Sequence, residues 1–291
     1  MTLPLVVGVD GSDASLLAVD WAVDEAARHG LPLRLVHASR WERYERALPS
    51  TGLGRPSERV LEEHLVASAA ERAGRRDPEV KVTTGTVPDE AAEALLREGN
   101  NAFALVTGSR GRGELTGMLL GSVGLAVAAR AHCPVIVVRG DRAALSGSHE
   151  RILLGAGEPE TGADAVRFAF REAEARGCAL DVVRAWRCPA HESADDPALA
   201  DEPARRHEER ASAQLDAVLK DSMVDHPDVR VRRVTIEGPA HSVLVRRSAA
   251  ADLVVVGARR RHGHLGLQLG RVNHTLLHHA DCPVAVVPQT V

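Results

Sequence analysis

Gly108, Gly111, Gly121 and Ser122 stand in the pattern G-x2-G-x9-G-S, within the segment GSRGRGELTGMLLGS that follows an apolar run and leads into a helix-period stretch. Amides at a helix start lack acceptors and carry about half a positive charge, so strand, glycine-rich loop and helix start together make a site for an anion. Glycine lets backbone approach a phosphate closely, and the Ser122 hydroxyl serves either as the helix N-cap or as a donor to an oxyanion. The plainer account is a tight turn followed by a capped helix. The segment holds neither Gly-Lys-Ser/Thr nor G-x-G-x-x-G, since Thr116 occupies the place of the last glycine, and this excludes two common nucleotide loops. Lys81 and Lys220 are the only lysines, so a lysine-dependent phosphate site is nearly excluded by counting.

Other chemistry-bearing residues read less sharply. Asp10 ends the first apolar run, as a ligand-facing carboxylate or as an acidic residue starting a turn. Arg110 and Arg112 offer charge-assisted contacts to phosphate, or are solvated loop arginines. His274 and His278 are spaced to share one helix face, but no carboxylate or cysteine completes a metal-ligand set, so they read as surface histidines. Cys133, Cys178, Cys188 and Cys282 show no CxxC spacing and read as reduced thiols.

The elements that position these residues come twice. LVVGVDGSDASLLAVDWAVDEAARHG (5–30) matches ILLGAGEPETGADAVRFAFREAEARG (152–177) at an offset of 147, pairing Gly8 with Gly155 and Gly30 with Gly177. ALVTG at 104–108 matches LVVVG at 253–257, and Cys133-Pro134-Val135 matches Cys282-Pro283-Val284, both at an offset of 149. Each copy alternates short apolar runs with helix-period stretches, the pattern of a parallel sheet covered by helices on both faces. In the first copy strands are expected over 5–10, 33–39, 80–84, 103–109 and 135–139, and helices over 15–29, 57–73, 89–98 and 122–131. The second copy starts its strands near 152, 180, 229, 253 and 284. Residues 140–149 read as a linker, giving domains at 1–144 and 149–291. Segments 40–56 and 188–203 read as mobile loops near strand ends.

Composition agrees with two folded domains: 291 residues exceed one typical core, and 44% hydrophobic with 26% charged residues is ordinary for a globular chain. A net charge of -4 gives no basic field for nucleic acid. No apolar run approaches the ~18 residues that span a bilayer, and the start lacks the marks of a secretory signal, so neither a membrane nor export is expected and the location reads as cytoplasmic.

The loop pattern, the opening strand VVGVDGS around Asp10 and the closing CPVIVV together resemble the ATP-binding members of the universal stress protein family, over nearly the whole chain and twice. The resemblance implies two tandem Rossmann-like (adenine nucleotide alpha hydrolase-like) domains, each a five-stranded parallel sheet of order 3-2-1-4-5 with helices on both faces. Ligands of such sheets bind where the strand order reverses, here between the ends of strands 1 and 4. It further implies ATP with Mg as cofactors, Asp10 as the ribose- or metal-facing carboxylate, and Ala38 as a backbone contact to adenine. Gly108, Arg110, Gly111, Gly121, Ser122 and Val123 would hold the phosphates and ribose, and no catalytic residue is assigned. Family members commonly pair through their last strands, so the two halves are expected to pair within the chain, with a homodimer also open.

The second copy departs from the pattern. Gly157 replaces Asp10, Arg260 replaces Gly111 and Arg271 replaces Ser122, which reads as a site closed to ATP. Glu158 beside the lost carboxylate suggests that Arg260 or Arg271 pairs with it and fills the pocket; the competing reading has Arg259, Arg260, Arg261 and Arg271 bind another anion. The functional expectation is an ATP-responsive regulatory module with little or no turnover. A slow ATPase and a nucleotide-free scaffold are the alternatives.

Overall fold

The computed structural model describes residues 2–39, 56–110, 120–158, 162–188, 201–259 and 269–289. Its contacts divide the chain into two units, Met1–Arg139 and Gly140–Val291. The first unit runs β1 (Leu5–Gly8), α1 (Asp13–His29), β2 (Leu33–Ala38), α2 (Pro56–Arg76), β3 (Val82–Val87), α3 (Ala91–Gly99), β4 (Ala104–Gly108), α4 (Ser122–Arg130) and β5 (Val135–Val138). The second runs α5 (Arg142–Leu145), β6 (Arg151–Gly155), α6 (Ala163–Arg176), β7 (Ala179–Trp186), α7 (Asp201–Asp225), β8 (Val231–Glu237), α8 (Ala240–Ser248), β9 (Leu253–Arg259), α9 (Arg271–His279) and β10 (Val284–Gln289).

Every strand pair within each unit is parallel. In the first, β1 pairs with both β2 (Leu5↔Leu33) and β4 (Leu5↔Ala104), β3 lies outside β2, and β5 lies beside β4. The second repeats this with β6 between β7 and β9, β8 outside β7, and β10 beside β9. Helices α1 and α2 pack together, as do α3 and α4. Sheets covered on both faces bury continuous apolar runs, and Leu5, Leu33, Leu35, Leu105 and Ile136 are fully buried in the first unit, as Ile152, Leu153, Leu154 and Leu180 are in the second. Cys133, Cys178 and Cys282 are buried and Cys188 half-buried, none in a disulfide; burial pushes the Cys133 thiol up to about 11.

Helix ends follow from local chemistry. The Ser12 side chain accepts from Ser15 N to start α1, and Gly30 at φ 61° ends it in the left-handed conformation that glycine adopts without penalty. Two expectations need correction. The third strand spans Val82–Val87 rather than 80–84: Val80 is buried but precedes the pairing, and the edge strand itself shows mostly exposed or half-exposed side chains, which weakens its apolar signal. The linker at 140–149 contains the short helix α5, capped by the Asp141 side chain accepting from Ala144 N at 2.9 Å.

One ion pair is inverted between the copies. Arg34 on β2 grips Glu98 on α3 through two hydrogen bonds of 2.7 and 2.8 Å, which holds the Glu98 carboxyl below its usual range and raises Arg34. At the equivalent places in the second unit stand Asp181 on β7 and Arg247 on α8, 3.9 Å apart, with Arg151 at 3.5 Å.

Candidate functional site

At the carboxyl end of the first sheet, the ends of the paired strands β1 and β4 line a cleft of about 420 Å³. Asp10 follows β1 directly. Its Oδ1 accepts from Ser12 N at 3.0 Å and from the Ser12 hydroxyl at 2.6 Å, while Ser12 Oγ accepts from Ser15 N at 3.2 Å. This turn ties the strand end to the start of α1 and aims the half-buried carboxylate at the cleft. Asp10 thus both builds the turn and lines the cavity.

Across from it, Gly121 N donates to Ser109 O at 2.8 Å, bringing the two ends of the loop together at the tip of β4. Gly121 is the N-cap of α4, with φ -70° and ψ 151°, and Ser122 is the first helical residue, so Ser122 is not the cap. Gly121 has no side chain with which to cap this helix, and the amides of its first turn, Ser122 to Gly124, have no intrahelical acceptor. They and the helix dipole bring positive potential to the cleft edge facing Asp10.

The sequence-nominated residues Asp10, Ala38, Gly108, Arg110, Gly121, Ser122 and Val123 all line this one cleft, with Arg110 exposed. Gly111 lies outside the described residues, as do Arg112 and Glu114. Gly108 has a steric reason of its own: a Cβ there would stand 2.5 Å from the Ala14 carbonyl oxygen and 3.0 Å from Ser15 N. The glycine is thus required where β4 meets the first turn of α1. Sequence reasoning passed over His37 and Thr107, which also line the cleft. His37 Nδ1 is 2.7 Å from the Val9 carbonyl; because a carbonyl only accepts, Nδ1 carries the proton and fixes the ring's tautomer.

The second unit has a cleft of about 170 Å³ in the corresponding place, below the ~300 Å³ at which small-molecule sites begin. The partner of Glu158 differs from the expectation. Glu158 pairs with Arg184 on β7 at 2.9 Å and accepts from Gln214 at 3.3 Å, and Arg184 Nη1 donates to the Gly157 carbonyl. Arg271 is exposed at the start of α9 and is not the partner; Arg260 lies outside the described residues. Arg184 corresponds to His37 by the 147 offset, but where His37 meets the Val9 carbonyl, the longer cation bonds the carbonyl one place further on, that of Gly157, and reaches the acid beside it. Asn273, which corresponds to Gly124, donates to the Gly257 carbonyl at 3.1 Å.

The model of the Universal stress protein family matches residues 1–139 and again 149–288. A universal stress protein of Mycobacterium tuberculosis (strain H37Rv) is 35% identical over 295 residues, covering 98% of this chain and 97% of that one. A second from the same strain is 31% identical over 299 residues, covering 100% and 98%. Among solved structures, a universal stress protein from Archaeoglobus fulgidus superposes with a TM-score of 0.60 at 18% identity, covering 98% of each chain, a likeness of fold. Among the described residues no helix is long and apolar enough to cross a membrane.

Proposed function

The chain belongs to the universal stress protein family, and from that premise we propose that its first unit is a receptor for an adenine nucleotide, ATP with Mg, whose occupancy is read as a regulatory signal. The carrying observation is the pairing, across one 420 Å³ cleft, of an uncapped α4 N-terminus with the Asp10 carboxylate. The first-turn amides suit the phosphates. Asp10 suits a magnesium ion or the ribose. Ala38 at the end of β2 offers backbone to adenine. The second unit, its smaller cleft lined by the Asn273 and Gln289 side chains, serves as a scaffold in this reading.

Little or no turnover is expected. Phosphoryl transfer needs a positioned water or acceptor and a cation on the transferring group, and among the described residues lining the cleft the one guanidinium or ammonium is that of exposed Arg110. The decisive experiment is a thermal melt with ATP and Mg. A ligand at a hundred times its dissociation constant stabilises by about 2.7 kcal/mol. Gly121→Val should abolish the shift and Gly270→Val should leave it intact. A shift that survives Gly121→Val refutes the site, and steady phosphate release that Asp10→Asn abolishes would replace the receptor reading with a slow ATPase.

A further inference from the structure

Thr107, near the end of β4, is 5% exposed, and its hydroxyl has no hydrogen-bond partner among the described residues. The residue lines the first unit's cleft, and Oγ1 lies 3.4 Å from the point where a Cβ on Gly124 would stand, in the uncapped first turn of α4. Leu120 Cδ1 lies 3.5 Å from the same point, so a hydroxyl and a methyl flank the glycine. A buried hydroxyl without a partner destabilises a fold relative to an isosteric valine.

The second copy supplies an internal control. Thr107 corresponds to Val256, 3% exposed, and Gly124 to Asn273. The narrow cleft therefore has no hydroxyl at this position, and its extra amide is satisfied by the Gly257 carbonyl. The open cleft keeps the hydroxyl, leaves it unpaired, and clears the space beside it by placing glycine at 124. Among the described residues the narrow cleft has an unpartnered atom of its own in Gln289 Oε1; what sets the open cleft apart is an unpartnered hydroxyl beside a helix start with room for an anion, a group that a ligand there would satisfy.

We propose that Thr107 Oγ1 is a further ligand-contacting group of the first unit, donating to a phosphate oxygen of the bound nucleotide beside the α4 amides. This rests on the reading of that unit as a nucleotide receptor. A hydroxyl can donate or accept, and the positive end of α4 draws in an anion, to which the hydroxyl donates.

The test is calorimetric titration of the full chain with ATP and Mg, beside melts without nucleotide. Thr107→Val should weaken binding about tenfold, equivalent to ~1.4 kcal/mol, while its nucleotide-free Tm equals or exceeds that of the parent. Thr107→Ser should bind within about twofold of the parent. Thr107→Val binding within twofold overturns the proposal, and so does Thr107→Ser losing as much as Thr107→Val, since the methyl rather than the hydroxyl would then matter. If Thr107→Val melts early, the serine variant decides. A parent chain that binds no nucleotide removes the receptor reading itself, an outcome distinct from a parent that binds and a valine variant that binds equally well.

Discussion

Replacing Gly108 by alanine separates two accounts of the glycine-rich loop. If the glycine serves only to admit phosphate, the nucleotide-free protein should tolerate a methyl group. The geometry says otherwise: a Cβ at 108 would lie 2.5 Å from the Ala14 carbonyl oxygen and 2.6 Å from its carbon, well inside the 3.4 Å at which ordinary contact begins. Both atoms are backbone of the first turn of α1, which cannot rotate away as a side chain can, so the helix must move by nearly 1 Å. Gly108 is absent from the glycines with positive φ, so the cost is steric rather than conformational. Overpacking of this kind costs about 1–3 kcal/mol, which for a unit of this size lowers Tm by roughly 3–10 °C. The same change at Gly257 meets the Gln289 side chain at 3.0 Å, and at Gly157 it meets nothing within 4 Å. Melts of the three alanine variants without nucleotide should rank Gly108 far below Gly257, with Gly157 nearly unchanged. A Gly108→Ala protein that melts with Gly157→Ala would refute the argument. Because α1 carries the Ser12 and Ser15 partners of Asp10, Gly108→Ala should also lose nucleotide binding.

Arg184→Met leaves the Gly157 carbonyl and Glu158 short of a partner, so denaturant unfolding of the second unit should show a loss of about 1–3 kcal/mol. Arg34→Glu opposes Glu98 with a like charge and should cost about 2 kcal/mol, most of which Arg34→Glu combined with Glu98→Arg should recover in the same assay. The Glu98 carboxyl titrates below its usual 4.5, so its stabilising share is present above that value and lost as pH falls through the depressed one. The gap in stability between the parent and Glu98→Gln should therefore narrow below pH 4.5 and stay constant above it. Alkylation of the folded protein at pH 8 should label Cys188 first, since Cys133 is buried with its thiol held near 11 and Cys178 and Cys282 are buried.

The duplication was legible because glycine turns and apolar strands keep their spacing whatever the surface does. The order of elements followed from it, and so did the convergence of Asp10, Ala38 and Gly121 on one cleft. The misses have physical causes. β3 is an edge strand whose side chains face solvent, so Val80 outweighed the true pairing that starts at Val82. Arg184 sits in a strand whose only other charged residue is Asp181, and no local pattern reports that its guanidinium crosses to the neighbouring strand's end. Ser122 has the chemistry of a cap but stands one residue too late, since Gly121 already has the extended backbone of the N-cap. The signal for Thr107 was present as the one polar residue in ALVTG against LVVVG, and it becomes readable only when burial shows the hydroxyl orphaned.

The inverted ion pair bears on how a duplicated chain finds its own structure. Two similar halves on one polypeptide can exchange equivalent pieces while folding, with α8 settling on β2 or α3 on β7, because apolar patterns alone do not tell the copies apart. With the charges reversed, either exchange would face Arg34 with Arg247 or Asp181 with Glu98, like charges at buried or half-buried positions. Arg34 with Glu98 and Asp181 with Arg247 thus act as opposite polarity keys, each admitting its own helix and rejecting the sibling's.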